Sequence, residues 1–87
     1  MVGTSSGPFE LPFGAALRRL RQAAGMTQEQ LGLEADVQRN FISLIETGQN
    51  QPTITTIAKL ARALGLKASE LVAEAEAEGS MSRRRQR

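Results

Sequence analysis

The sequence predicts an all-α domain built as a compact bundle of five helices. Three observations carry that prediction. Apolar residues recur at spacings of three and four rather than two, Gly or a capping Thr punctuates each run, and no alternating stretch suits a strand. The 87 residues make one domain, near the low end of what buries an adequate core alone. Residues 1–11 read as a flexible arm rich in Gly, Ser and Thr, 12–78 as the folded domain, and 79–87 as a disordered basic tail.

Each element follows from local chemistry. The first helix starts at about Pro12, a residue tolerated in a first turn, and runs to Ala24, where Gly25 stops it. Leu17 and Leu20 face inward, and Arg18 and Arg19 lie on its wet side. Thr27 opens the second helix, Gln30 completes a T-x-x-Q capping box, and Leu31 and Ala35 are its buried positions.

The stretch DVQRNFISLIETG, residues 36–48, supplies the third helix and ends at Gly48, where a positive φ is wanted. Wound at roughly 100° per residue, it gathers Val37, Phe41, Ile42 and Ile45 on one arc, with Leu44 at its edge. Arg39, Asn40, Ser43 and Thr47 share the opposite arc. Gln49 to Pro52 form a polar loop, and Thr53 then caps a fourth helix. In that helix Ile54, Ile57, Ala58, Leu60, Ala61 and Leu64 repeat at helical spacing before Gly65. The fifth helix begins near Ala68, carries Leu71 and Val72, and passes into an Ala and Glu alternation.

Composition narrows the function. Without a Cys or a His, the chain lacks the usual zinc ligands and the usual general bases, so neither an enzyme nor a metal or other cofactor is expected. Phe9, Phe13 and Phe41 are its only aromatics, too few for a surface that stacks single-stranded bases. No apolar run approaches a membrane span, and a soluble cytoplasmic protein is the default expectation. Charge is polarised. Residues 13–67 hold 7 basic against 4 acidic groups, Glu70, Glu74, Glu76 and Glu78 form an acidic block, and Arg83, Arg84, Arg85 and Arg87 end the chain. Such a body suits a polyanionic partner.

The layout from Gln28 to Thr47 resembles a helix-turn-helix, with Gly32 where two helices cross closely and Asp36 and Val37 in the turn. Together with LRRLRQAAGMTQEQL before it and PTITTIAKLARALG after it, the chain resembles the Cro/C1-type (XRE-like) family from about Phe13 to Leu71. The resemblance implies a lambda-repressor-like five-helix domain that lays its third helix in the DNA major groove. It also implies a homodimer spanning two half-sites about one helical turn apart. Matching positions give Gln38, Arg39, Asn40, Ser43 and Leu44 as base-reading or flanking residues, and Gln28 as a phosphate ligand. Thr27, Thr47, Asn50 and Gln51 join Gln28 at the phosphates, and Arg21 with Glu46 ties the first helix to the third.

Physical chemistry agrees with those roles. The guanidinium fork of Arg39 fits guanine O6 and N7, and the amide of Asn40 fits adenine N6 and N7. For Leu44, core packing and contact with a thymine methyl stay open alternatives, as do solvent and DNA contact for Ser43 and Thr47. Three departures from the family pattern stand out. Asp36 occupies the place of the turn Gly, Gln38 that of the capping Ser or Thr, and the loop at 49–51 carries no charge.

The expected function is therefore sequence-specific binding of double-stranded DNA by a transcriptional regulator, with repression by occlusion as the simplest mechanism. Contact with RNA polymerase is the other regulatory route. A restriction–modification controller, a DNA-binding antitoxin and a protein-interaction adaptor are the alternatives. Leu71, Val72 and the chain ends are the expected dimer contacts.

Overall fold

The computed structural model describes residues 11–85, with side chains through Ser80. Five helices follow one another: α1 Phe13–Ala23, α2 Gln28–Ala35, α3 Arg39–Glu46, α4 Ile54–Ala63 and α5 Ala68–Arg85. No strand occurs among the described residues. The core takes Phe13, Ala16 and Leu17 from α1, Leu31 and Ala35 from α2, and Ile42 and Ile45 from α3. Leu60 and Ala61 of α4 and Leu71 and Ala75 of α5 complete it.

The caps explain the boundaries. Thr27 Oγ1 accepts from Gln30 N at 3.0 Å, and Gln30 Oε1 accepts from Thr27 N at 2.8 Å, so the capping box satisfies both otherwise unpaired donors. Thr53 Oγ1 does the same for Thr56 N at 3.1 Å. Asp36 is the left-handed residue that ends α2, at φ 59° and ψ 48°. It thus belongs to the turn, and α3 begins only at Arg39. Gln38 precedes α3 in extended conformation and makes no side-chain cap.

Two glycines permit helix crossings that a methyl group would block. A Cβ on Gly32 would stand 2.6 Å from the Val37 carbonyl oxygen, so α2 can meet the start of α3 only without a side chain there. Gly14, to which the sequence draws no attention, is tighter still. Its Cβ would overlap the Ile45 carbonyl oxygen and stand 2.8 Å from that of Glu46. Since both obstacles are backbone, no rotamer change relieves them. Gly14→Ala should therefore lower stability by about 2 kcal/mol, the overpacking cost exceeding the helix propensity gained. Thermal unfolding checks this; a raised midpoint would show that α1 and α3 can part freely.

Three expectations are corrected. Ile54 is 78% exposed rather than buried, because it opens α4 ahead of the turn that meets the core, and Ala58 is exposed as well. Leu71 is fully buried within the protomer against the other helices, so it is not free to meet a partner chain. Finally, the chain stays helical to Arg85 instead of loosening at Gly79. Arg19 of α1 holds Glu74 at 2.8 Å and Glu78 at 3.2 Å, and Gly79 packs beside Pro12, where a Cβ would lie 3.3 Å from Cδ. Basic residues in the last turn also suit the negative end of the helix dipole. The expected N-terminal arm lies, through residue 10, outside the described residues.

Candidate nucleic-acid interface

The amphipathic split of α3 organises the site. Ile42 and Ile45 drive one side into the core, with Phe41 partly buried against it. That leaves Arg39 and Asn40 exposed on the other side, preceded by exposed Gln38. No hydrogen bond or ion pair within the protein engages these three side chains among the described residues. Ser43 and Leu44 follow one turn later, both partly buried. Leu44 is not among the residues of the core cluster. A planar fork, an amide, a hydroxyl and an apolar side chain therefore share one side of a short helix. Such a set combines hydrogen-bonding groups with an apolar contact, the side-chain chemistry by which base edges in a major groove are read in general.

A buried network fixes this helix. Glu46, the last residue of α3, accepts from Arg21 Nε at 2.7 Å and from Arg21 Nη2 at 3.1 Å. Its Oε1 also accepts from Gln28 Nε2 at 3.0 Å, and Arg21 Nη1 donates to the Met26 carbonyl at 2.7 Å. One carboxylate thereby joins α1, α2 and α3. The side chains of Arg21 and Glu46 are only 10% and 3% exposed, so water screens the pair little. Hydrogen bonding to Glu46 raises the pKa of Arg21 above the ordinary arginine value, with burial opposing. Arg21 is thus a fixed cation.

The structure brings some of the expected phosphate ligands forward and commits others internally. The Gln28 amide nitrogen is turned inward to Glu46, so its place in the network, rather than a phosphate, accounts for its orientation. The Thr47 hydroxyl donates to the backbone at Ser43 (3.1 Å) or Leu44 (3.2 Å) and accepts from Gln49 Nε2 at 3.0 Å, which removes its proton from the surface. Thr27 commits its oxygen to the α2 cap. Asn50 and Gln51 remain exposed in the loop after α3. Arg19, placed on the wet side of α1, is held by Glu74 and Glu78; the Glu74 hydrogen bond is the main cause of its raised pKa. Gly14 is the residue that sequence reasoning missed, since its close approach is to α3 carbonyls distant in sequence.

Lys59 and Asp36 meet at 3.8 Å on the surface, with the Asp36 side chain 98% exposed, a pair worth little. No group of residues suited to a metal ion occurs among the described residues, and no described helix is long and apolar enough to cross a membrane.

A core-anchored short helix, set after a tight turn and held at its end by a buried ion network, has the build of a helix-turn-helix. The chain belongs to the helix-turn-helix family of Cro/C1-type transcriptional regulators, whose family model matches residues 17–71. It is 37% identical over 59 residues to an uncharacterized HTH-type transcriptional regulator, y4dJ, of Sinorhizobium fredii, covering 68% of this chain and 77% of that one. It is 36% identical over 63 residues to the control protein C.BamHI of Bacillus amyloliquefaciens, covering 71% and 78%. The crystal structure of the restriction–modification controller protein C.AhdI from Aeromonas hydrophila superposes with a TM-score of 0.67 at 38% identity, covering 70% of this chain and 92% of that one.

Proposed function

We propose that this DNA-binding transcriptional regulator acts as a cytoplasmic homodimer that reads an inverted-repeat operator and represses by occlusion. The observation that supports this best is the exposed side of α3, where Gln38, Arg39 and Asn40 have no partner among the described residues. Arg39 takes guanine, Asn40 takes adenine, and Ser43 and Leu44 read the neighbouring bases or flank them. The N–H groups at the start of α2 and the amides of Asn50 and Gln51 meet phosphates. The dimer forms through α5, using Val72 and its outward side; Leu71 serves the protomer core instead. The chain is not an enzyme, consistent with a sequence that has no His or Cys.

A controller protein of a restriction–modification system is the second reading, favoured by the identities to C.BamHI and C.AhdI. On that reading the operators control the genes of a restriction–modification system, and contact with RNA polymerase becomes relevant.

Selection of randomised duplex DNA by the purified protein tests the proposal. An inverted repeat with half-site centres about 10 bp apart is expected. Enrichment of no sequence, at a salt concentration where unrelated duplex also fails to bind, would favour a protein-interaction adaptor instead.

A further inference from the structure

The arginines that close the chain have an assignable place. Pro12 lies beside Gly79, and Arg19, further along α1, reaches back to Glu74 and Glu78. Moving toward the start of α1 moves toward the end of α5, so the two helices run antiparallel. Beyond Gly79 the helix continues for six residues, about 9 Å at 1.5 Å each, and so carries positions 83, 84 and 85 past the start of α1. Leu11 to Ala15, at that same start, line one cleft with Glu46, Thr47, Gly48 and Gln51, where α3 gives way to the uncharged loop. The cationic end of α5 thus leaves the body past the start of α1, the segment that also borders the end of α3.

Positions 79–82 are Gly, Ser, Met and Ser, so Arg83, Arg84 and Arg85 have no acidic residue three or four places earlier on their own helix. Glu78, the acidic residue that precedes them most nearly on the helix, is engaged together with Glu74 by Arg19. The loop at 49–51, which in the DNA-binding reading lies against the backbone, carries no cation.

We propose that the end of α5 is a phosphate-binding arm, through which Arg83, Arg84 and Arg85 grip the DNA backbone flanking the half-site. The arm rests on the DNA-binding reading and deepens it. It supplies charge that the loop lacks, and it contributes affinity without sequence preference, because phosphates carry no sequence information.

The test compares the full chain with its Arg83→Gln, Arg84→Gln, Arg85→Gln variant, titrated onto the selected operator and onto an unrelated duplex between 50 and 200 mM salt. Removing one arginine from one phosphate makes the log–log salt slope shallower by about 0.9, so a change of up to ~2.7 is expected for each protomer. The change should be the same on both duplexes and leave their affinity ratio intact, with helical content retained by circular dichroism. An unchanged slope, with the wild type still selecting its operator, overturns the arm and spares the DNA-binding reading. A weakening confined to the operator also overturns it, since a backbone grip cannot discriminate. Failure of the wild type to bind any duplex brings down both.

Discussion

Replacing Arg39 and Asn40 together by Ala should abolish operator recognition and leave the fold intact. Neither side chain makes a hydrogen bond or ion pair with another part of the protein among the described residues, and both are exposed, so their truncation leaves no cavity and no orphaned partner. Each bidentate base contact contributes about 1–3 kcal/mol of discrimination, and a tenfold change in affinity corresponds to about 1.4 kcal/mol. With both side chains truncated, operator binding should weaken by roughly 30-fold or more. Fluorescence anisotropy on the selected operator reads the change. Far-UV circular dichroism and the unfolding midpoint should stay near wild type. A variant that binds as tightly as wild type would show that α3 does not read bases.

Glu46→Ala attacks the same helix from behind and should destabilise the domain strongly. It removes the acceptor for three donors at once, two from Arg21 and one from Gln28. Arg21 then stays in a nearly closed site with only the Met26 carbonyl as partner. Breaking a buried pair by removing one member costs about 3–5 kcal/mol, because the remaining charge is uncompensated. For a domain of this size the midpoint should fall by roughly 10–20 °C or more. The double variant Arg21→Met, Glu46→Leu should recover much of that stability, since an apolar pair of similar volume removes the stranded charge. Urea unfolding of the three proteins supplies the comparison. A single variant within about 1 kcal/mol of wild type would mean that water reaches the pair and screens it.

What the sequence makes legible is whatever local chemistry decides. The capping box of Thr27 and Gln30, the left-handed Asp36 and the cap at Thr53 depend on neighbours within a few residues, and each is readable in order. The α3 periodicity likewise separates Ile42 and Ile45 from Arg39 and Asn40. Periodicity names an apolar face, however, and not the surface that covers it. Leu71 therefore reads as a dimer contact, while in the fold α5 turns it into the protomer's own core. Ile54 fits the apolar repeat of α4 and still lies outside, because one turn of that helix precedes the packed region.

Long-range contacts escape for the same reason. Gly79 looks like a stop until Pro12 is seen beside it, and Gly14 looks ordinary until the α3 carbonyls close over it. Glu46 and Arg21 can be matched from the resemblance, but the third member, Gln28, reads by that route as a phosphate ligand. Its amide faces Glu46, 18 positions away in sequence. Thr47 shows the complementary case. A helical wheel places it on the polar arc, yet its hydroxyl bonds the carbonyls of its own helix, an option open to any Thr in a last turn.

The central claim is that the exposed side of α3 reads base edges rather than backbone. The most direct measurement titrates wild type and Arg39→Ala against the selected operator and every single-base-pair variant of one half-site. If Arg39 reads a guanine, the variant loses its preference at one base pair, by about 1–3 kcal/mol, and keeps the wild-type ranking elsewhere. A uniform drop in affinity at all positions, with a shallower salt slope, would place Arg39 on a phosphate and contradict the account.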